Sequence, residues 1–76
     1  MSRVDPVEVA RVRKQLRNGE AKEIRVRAHL SMGEVARGLG VTESTLGRWE
    51  TGLRVPRPQA ALRYGRFLRE LTEAGL

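Results

Sequence analysis

The stretch MGEVARGLGVTESTLGRWETG, residues 32–52, carries the clearest structural information in this chain. Ser31 and Glu34 form a capping-box pair, in which each side chain accepts a hydrogen bond from the backbone N–H of the other, and this pair predicts a helix start. We expect Gly38 and Gly40 to end that helix around the leucine between them, because glycine tolerates the left-handed conformation of a tight turn. The first half of the stretch is therefore predicted to be a short helix followed by a turn.

A second short helix follows the turn at Gly40. Thr42 is a suitable N-cap residue, and the helix is expected to continue to Thr51, where Gly52 stops it. The apolar positions that fit one shared core between the two helices are Val35, Leu39, Val41, Leu46 and Trp49. Two helices joined by a tight turn form a helix-turn-helix, whose second helix can lie in the major groove of DNA.

Three further helices are predicted around this motif. Asp5-Pro6-Val7-Glu8 is a helix-start signal, because Asp5 can cap, proline suits the first turn and Glu8 stands at the capping-box position. This helix is expected to reach about residue 18, the next to run over about 20–29, and the last from 58 or 59 to 72. No segment alternates apolar and polar residues for long enough to predict a strand. The predicted fold is all-α, a single five-helix domain over 1–76 with an additional N-terminal helix (1–19), a core (20–72) and the helix-turn-helix (32–52).

Composition excludes several classes of protein. The chain has 76 residues and no cysteine, which excludes a disulfide-stapled scaffold, a thiolate zinc site and a cysteine nucleophile. The formal net charge is +6, and 13 of the 15 basic residues are arginine. The arginine fork matches phosphate and guanine edges, so this bias suits an anionic partner, although a GC-rich coding genome would also produce it.

The positive charge lies on both sides of the helix-turn-helix. Residues 1–29 carry 8 basic and 4 acidic side chains, residues 30–52 carry 2 and 3, and residues 53–76 carry 5 and 2, which gives +4, −1 and +3. This distribution suits a division in which the flanks contact phosphate and the second helix reads bases.

Enzyme and membrane functions lack their sequence signatures. There is no Ser-His-Asp set, no pair of carboxylates beside a glycine-rich pocket, no P-loop and no metal-ligand cluster, so neither an enzyme nor a cofactor is expected. No apolar run approaches the roughly 20 residues that span a bilayer, and the start lacks an apolar stretch of signal-peptide length. We therefore expect a cytoplasmic, nucleoid-associated protein.

The sequence resembles the phage-repressor-like helix-turn-helix family, also called the Xre or lambda-repressor-like family, of the Cro/CI type. Its most distinctive part is the Trp-Glu-x-Gly-x-x-x-Pro run from Trp49 to Pro56, and the resemblance covers roughly residues 20–71. The other matching residues are Val35-Ala36, Leu39-Gly40-Val41-Thr42 and Thr45-Leu46. The resemblance implies the lambda-repressor-like DNA-binding fold.

The resemblance also implies a recognition helix over about 42–51 that contacts double-stranded DNA. Its outward residues would be Thr42, Glu43, Ser44, Gly47, Arg48 and Thr51, while Thr45, Leu46 and Trp49 point into the core. Arg48 would bind guanine in a bidentate manner, Glu43 could accept from cytosine, and the two hydroxyl side chains Thr42 and Ser44 could contact bases or phosphate.

Arg54 and Arg57, in the loop that follows the recognition helix, would by the same resemblance contact the phosphate backbone. Glu50 is interpreted as a structural group rather than a base contact.

Two positions depart from the family pattern. Met32 stands where many members carry a glutamine that touches phosphate, and a thioether cannot donate that hydrogen bond. Gly47 lies inside the recognition helix, where glycine costs about 1 kcal/mol relative to alanine. Two interpretations of Gly47 stay open: closer approach to DNA, or a smaller reading surface.

We interpret the protein as a sequence-specific transcriptional regulator, a repressor that binds an operator as a homodimer. The candidate dimer surfaces are the last helix, through Phe67, Leu71 and Leu76, or the additional N-terminal helix. The alternative is an interaction module, such as an antitoxin or a recombination accessory factor, that acts through a protein partner on the N-terminal helix. In that case Val7, Val9 and Val12 would exceed what the core can bury.

Overall fold

Five α-helices account for the regular structure in residues 5–76, the part of the chain that the computed structural model describes; Met1–Val4, which begin the predicted 1–19 segment, lie outside it. The helices are α1 (Pro6–Arg17), α2 (Glu20–Arg27), α3 (Met32–Leu39), α4 (Glu43–Thr51) and α5 (Pro58–Glu73). The described residues contain no strand. The all-α, five-helix prediction is confirmed.

The capping hydrogen bonds expected at the starts of α1 and α3 are formed. The Asp5 side chain accepts from the backbone N–H of Val7 at 3.0 Å, and proline occupies the first turn of α1. At α3 both bonds of the capping box form: the Ser31 N–H donates to Glu34 at 2.8 Å, and the Glu34 N–H donates to the Ser31 hydroxyl at 3.0 Å. Short-range side-chain chemistry therefore sets where these two helices begin.

One predicted helix end and the predicted part of Gly38 in another differ from the structure. α2 stops at Arg27 rather than at residue 29, because His29 takes a left-handed conformation with φ of 59°. The N–H of His29 then bonds to Val26 O and the N–H of Leu30 to Arg25 O, which is the Schellman pattern of a helix end. Gly38 lies inside α3, and Gly40 alone, with φ of 74°, turns the chain there.

The core lies between the helix-turn-helix and the two longest helices, α1 and α5. The buried residues of α3 and α4 are Val35, Ala36, Leu39, Leu46 and Trp49, with Val41 half-buried at the edge. On α5 the buried residues are Ala61, Tyr64, Gly65, Leu68 and Leu71. The ring of Tyr64 lies between those of Trp49 and Phe67, with centroid distances of 6.1 and 6.4 Å. Trp49 is therefore a core residue, as predicted.

α1 is part of this core. Val9, Val12 and Leu16 are 5%, 1% and 4% exposed, whereas Val7 is 64% exposed. The carboxylate of Glu8, itself buried, accepts hydrogen bonds from Arg11 on the same helix and from Arg69 on α5. Because the core takes up two of the three valines, α1 does not present the apolar face that the interaction-module interpretation requires.

α1 packs directly against the backbone of α5 at Gly65. A Cβ atom at this position would lie 2.8 Å from Cγ2 of Val12 and 2.9 Å from Oε2 of Glu8. Such distances are below normal van der Waals contact, so the two helices fit together only because position 65 has no side chain.

We expect Gly65→Ala to destabilise the protein. Alanine contributes roughly 1 kcal/mol through its higher helix propensity, but overpacking against Val12 and Glu8 outweighs this gain. We expect the free energy of unfolding to fall by about 1–2 kcal/mol and the Tm to fall with it. The matched control is Gly38→Ala, because this glycine is also helical but has nothing within 4 Å of an added Cβ. There we expect a gain in stability below about 1 kcal/mol. Thermal unfolding followed by circular dichroism measures both, and a Tm for Gly65→Ala at or above that of the wild type would contradict the packing argument.

The capping box of α3 makes stability depend on pH. The hydrogen bond from the Ser31 N–H, together with that from the Ser31 hydroxyl, lowers the pKa of Glu34 below its ordinary value. The contribution of Glu34 to stability is therefore complete above about pH 4.3, the ordinary pKa of glutamate, and is lost as the pH falls through the lowered pKa of the folded state.

Glu34→Gln keeps the accepting oxygen of the capping box but does not titrate. We expect the wild type to be more stable than this variant at neutral pH, and the difference to shrink towards about pH 3. Urea unfolding midpoints of the wild type and the variant, at neutral pH and at the acidic pH, measure this difference in stability. A difference that does not change with pH would show that the carboxylate charge contributes nothing here.

Candidate nucleic-acid interface

α4 packs on α3 through its apolar face and leaves its polar face exposed. Leu46 and Trp49 are 0% and 7% exposed, and the turn between the helices is closed by a hydrogen bond from the N–H of Val41 to Ala36 O at 2.9 Å. The exposed residues of this segment are Thr42, Glu43, Ser44, Arg48 and Thr51. Five of the six residues predicted to point outward therefore do so.

Gly47 is the sixth residue predicted to point outward. It is half-buried, and an added Cβ would lie 3.2 Å from Cε of Met32 at the start of α3. Met32 is half-buried against the core, so its thioether packs on α4 at the position where a glutamine was expected from the family pattern. The glycine at position 47 therefore leaves space for Met32, which is a third explanation for it beside the two open interpretations.

The hydroxyl of Thr42 is engaged within the helix start. It accepts from the N–H of Thr45 at 3.0 Å and donates to the Thr45 hydroxyl at 2.9 Å. The side chain of Glu43 reaches towards Gly33 of α3. Its Oε2 lies 3.2 Å from the place that a Cβ of Gly33 would occupy, and Nη1 of Arg37 lies 3.5 Å from the same place. Arg37 therefore stands beside Glu43, a proximity that the sequence did not predict.

Three arginines line one cleft of about 360 Å³ between α4 and the loop that follows it, residues 53–57. The N–H of Arg54 donates to Arg48 O at 3.2 Å and holds the loop against the end of α4. The full lining is Thr45, Arg48, Trp49, Arg54, Val55, Arg57 and Ala60. This lining contains no carboxylate, so its charge is positive and suits an anion such as phosphate.

Glu50 does not belong to the exposed face. Its carboxylate accepts from Nε and Nη2 of Arg25 at 2.8 and 3.0 Å, and the two side chains are only 5% and 10% exposed. The third donor, Nη1 of Arg25, bonds to Leu30 O at 3.1 Å, and the bond to Glu50 raises the pKa of the guanidinium. The structural interpretation of Glu50 is confirmed, but its partner on α2 was not predicted.

Tyr64 lies in the same part of the core. The side chain is fully buried, and its hydroxyl has no hydrogen-bond partner among the described residues. Burial raises the pKa of this hydroxyl far above its ordinary value, and the negative charge of Glu50 adds to the effect. Tyr64 therefore acts through its ring and stays neutral.

The geometry agrees with a comparison against known families. A helix-turn-helix family model matches residues 22–75, which is more than half of the chain. The chain belongs to the lambda-repressor-like helix-turn-helix family. No curated protein and no solved structure matches it significantly. The match to the helix-turn-helix family begins inside α2, so α1 lies outside the region that defines the family.

This family consists of DNA-binding domains and is not enzymatic, so the helix-turn-helix protein is a DNA-binding regulator. Within residues 5–76 no three histidine, cysteine, aspartate or glutamate side chains come together as a metal site would require. None of its described helices is long and apolar enough to cross a membrane.

Proposed function

We propose that this protein is a sequence-specific transcriptional regulator that places α4 in the major groove and acts on nucleoid DNA in the cytoplasm. One observation supports this proposal most directly: Arg48 on the exposed face of α4 lines the same cleft as Arg54 and Arg57. A base-reading arginine is thus flanked by two arginines that can contact the phosphates beside the groove.

Arg48 is the principal candidate for reading a base. It is exposed on the face of α4 opposite Leu46, and a guanidinium can bind the O6 and N7 atoms of guanine together. Ser44 and Thr51 are exposed on the same helix and can contact base edges or phosphate. Glu43 and Thr42 have weaker support, because both side chains already have neighbours within the fold.

Phosphate contacts supply the affinity in this proposal. The helix-turn-helix segment 30–52 has a net charge of −1, so binding strength depends on the basic flanks, with Arg54 and Arg57 nearest to α4. Each phosphate that such a residue neutralises adds about 0.9 to the slope of log affinity against log salt concentration.

Two subunits on a palindromic operator complete the proposed repressor. Half-sites one helical turn apart, about 34–36 Å, would present two copies of α4 to one face of the DNA. Of the three predicted dimer residues on the last helix and beyond, Leu71 is buried, Phe67 is half-buried against the core and Leu76 is exposed. Light scattering with and without the bound duplex tests the homodimer, and a monomer in both cases would exclude it.

Selection of bound duplexes from a random DNA library tests the function itself. We expect enrichment of a short palindromic motif that contains guanine at a position within reach of Arg48. Weak, salt-sensitive binding with no enriched motif would contradict sequence-specific regulation by this chain on its own.

A further inference from the structure

Arg13 of α1 binds the loop that follows α4. Its Nε and Nη2 atoms both donate to the carbonyl oxygen of Pro56, at 3.2 and 2.8 Å. The two residues are 43 positions apart, Arg13 is half-buried and Pro56 is fully buried. This contact joins α1, which the family match leaves out, to the loop that carries Arg54 and Arg57.

The loop of residues 53–57 has few other hydrogen bonds before α5 begins. Within the described chain Arg13 is the one side chain that bonds to it, and its backbone is otherwise held near its two ends, by the bond from Arg54 N–H to Arg48 O and by the bond from Ala61 N–H to Arg57 O. Its two aliphatic side chains are more than half exposed, and Pro56 has no N–H to donate. The ring of Pro56 is buried, and Arg13 supplies the one hydrogen bond to the middle of the loop, so removing this contact loosens the backbone between Arg54 and Arg57.

We propose that Arg13 is a positioning residue for DNA binding. By holding the Pro56 carbonyl, it sets the place of the two arginines on either side, Arg54 and Arg57, relative to α4. The inference rests on the proposed function, and it gives α1 a part in that function. A loop already ordered in the free protein loses less conformational entropy when it binds DNA.

The first test compares two variants that remove one positive charge from the same helix. Arg13→Met removes the donors but keeps an apolar stem, whereas Lys14→Met changes an exposed neighbour that makes no side-chain hydrogen bond among the described residues. Affinity is measured on a short duplex of mixed sequence at low salt, because phosphate contacts do not depend on sequence. We expect Arg13→Met to bind about tenfold more weakly, the effect of ordering roughly one loop residue, and Lys14→Met to change by less than about twofold. Equal losses for both variants would overturn the proposal, since they would reflect charge alone.

The second test separates positioning from a direct phosphate contact by Arg13. In a protein that carries Arg54→Gln and Arg57→Gln, we expect Arg13→Met to cause little further loss, because the residues it positions are gone. A direct contact would persist, and Arg13→Met would then lower affinity and salt slope in both backgrounds. That result would overturn the positioning role.

A third measurement needs no DNA and keeps the two proposals distinguishable. The NMR order parameter of the Val55 amide should be near the roughly 0.85 of a rigid backbone in the wild type and fall towards about 0.6 in Arg13→Met, while helical content stays the same. If the wild type failed to bind any duplex, the proposed function would fail and this measurement would still show whether Arg13 holds the loop. An unchanged order parameter would overturn the role of Arg13 even if DNA binding were established.

Discussion

Glu50→Ala is expected to destabilise the protein by about 3–5 kcal/mol, because it leaves the guanidinium of Arg25 buried without its counter-charge. The Arg25 side chain is only 10% exposed, and without Glu50 its one remaining hydrogen-bond acceptor among the described residues is Leu30 O. A domain of this size has a total stability of about 4–11 kcal/mol, so the variant should lose from about a quarter to all of its stability at 25 °C. Urea unfolding followed by circular dichroism gives the midpoint.

Glu23 provides the matched control for this prediction. It forms an ion pair with Arg27, four residues later on the same helix, but both side chains are more than 60% exposed, so Glu23→Ala should cost less than about 1 kcal/mol. The double variant Arg25→Met with Glu50→Leu removes both charges and should recover much of the lost stability. A Glu50→Ala protein no less stable than Glu23→Ala would mean that the buried pair contributes nothing.

Arg48→Ala is expected to weaken binding to the selected operator by about 1–3 kcal/mol, or roughly 5- to 150-fold, and to relax sequence preference at one base position. The reason is the loss of a bidentate contact to guanine, which leaves that base edge without its donors. Titration of fluorescent duplexes that differ only at the guanine measures both effects, since the variant should no longer distinguish them.

Two control variants define what Arg48 does. Arg66→Ala also removes one exposed arginine, but Arg66 lines a different groove with Asp5 and Leu62, so its effect should be small and equal on all duplexes. Arg48→Lys keeps the charge without the planar fork and should lose discrimination more than affinity. Arg48 would be a phosphate contact instead if Arg48→Ala lowered affinity for every duplex by the same factor.

The parts of the fold that the sequence could predict depend on short-range chemistry. Asp5, Ser31 and Thr42 cap helices through residues two or three positions away, so their role is visible in a short window of sequence. The apolar spacing likewise predicted the faces of α3 and α4 that are buried. The family resemblance added the likeness of α4 to a recognition helix and named the exposed residues on it.

The contacts that sequence reasoning missed join residues far apart in the chain. Arg25 and Glu50 are 25 positions apart, Arg13 and Pro56 are 43 apart, and Glu8 and Arg69 are 61 apart. Each pair is fixed by how helices pack, which no local pattern encodes. The proximity of Gly47 to Met32 was missed for the same reason, since the two residues lie on different helices.

The packing of α1 against α5 has a consequence for synthesis. α1 is made first, yet the surface that covers Val9 and Val12 includes α5, which begins some 40 residues later. At roughly 5–20 residues per second, the ribosome needs about 2–8 s to reach it. During that interval the valines of the nascent chain remain open to chaperones and to other nascent chains. A translation product that stops before residue 58 would lack four of the thirteen buried hydrophobic residues of the described core, so we expect it not to form the packed domain.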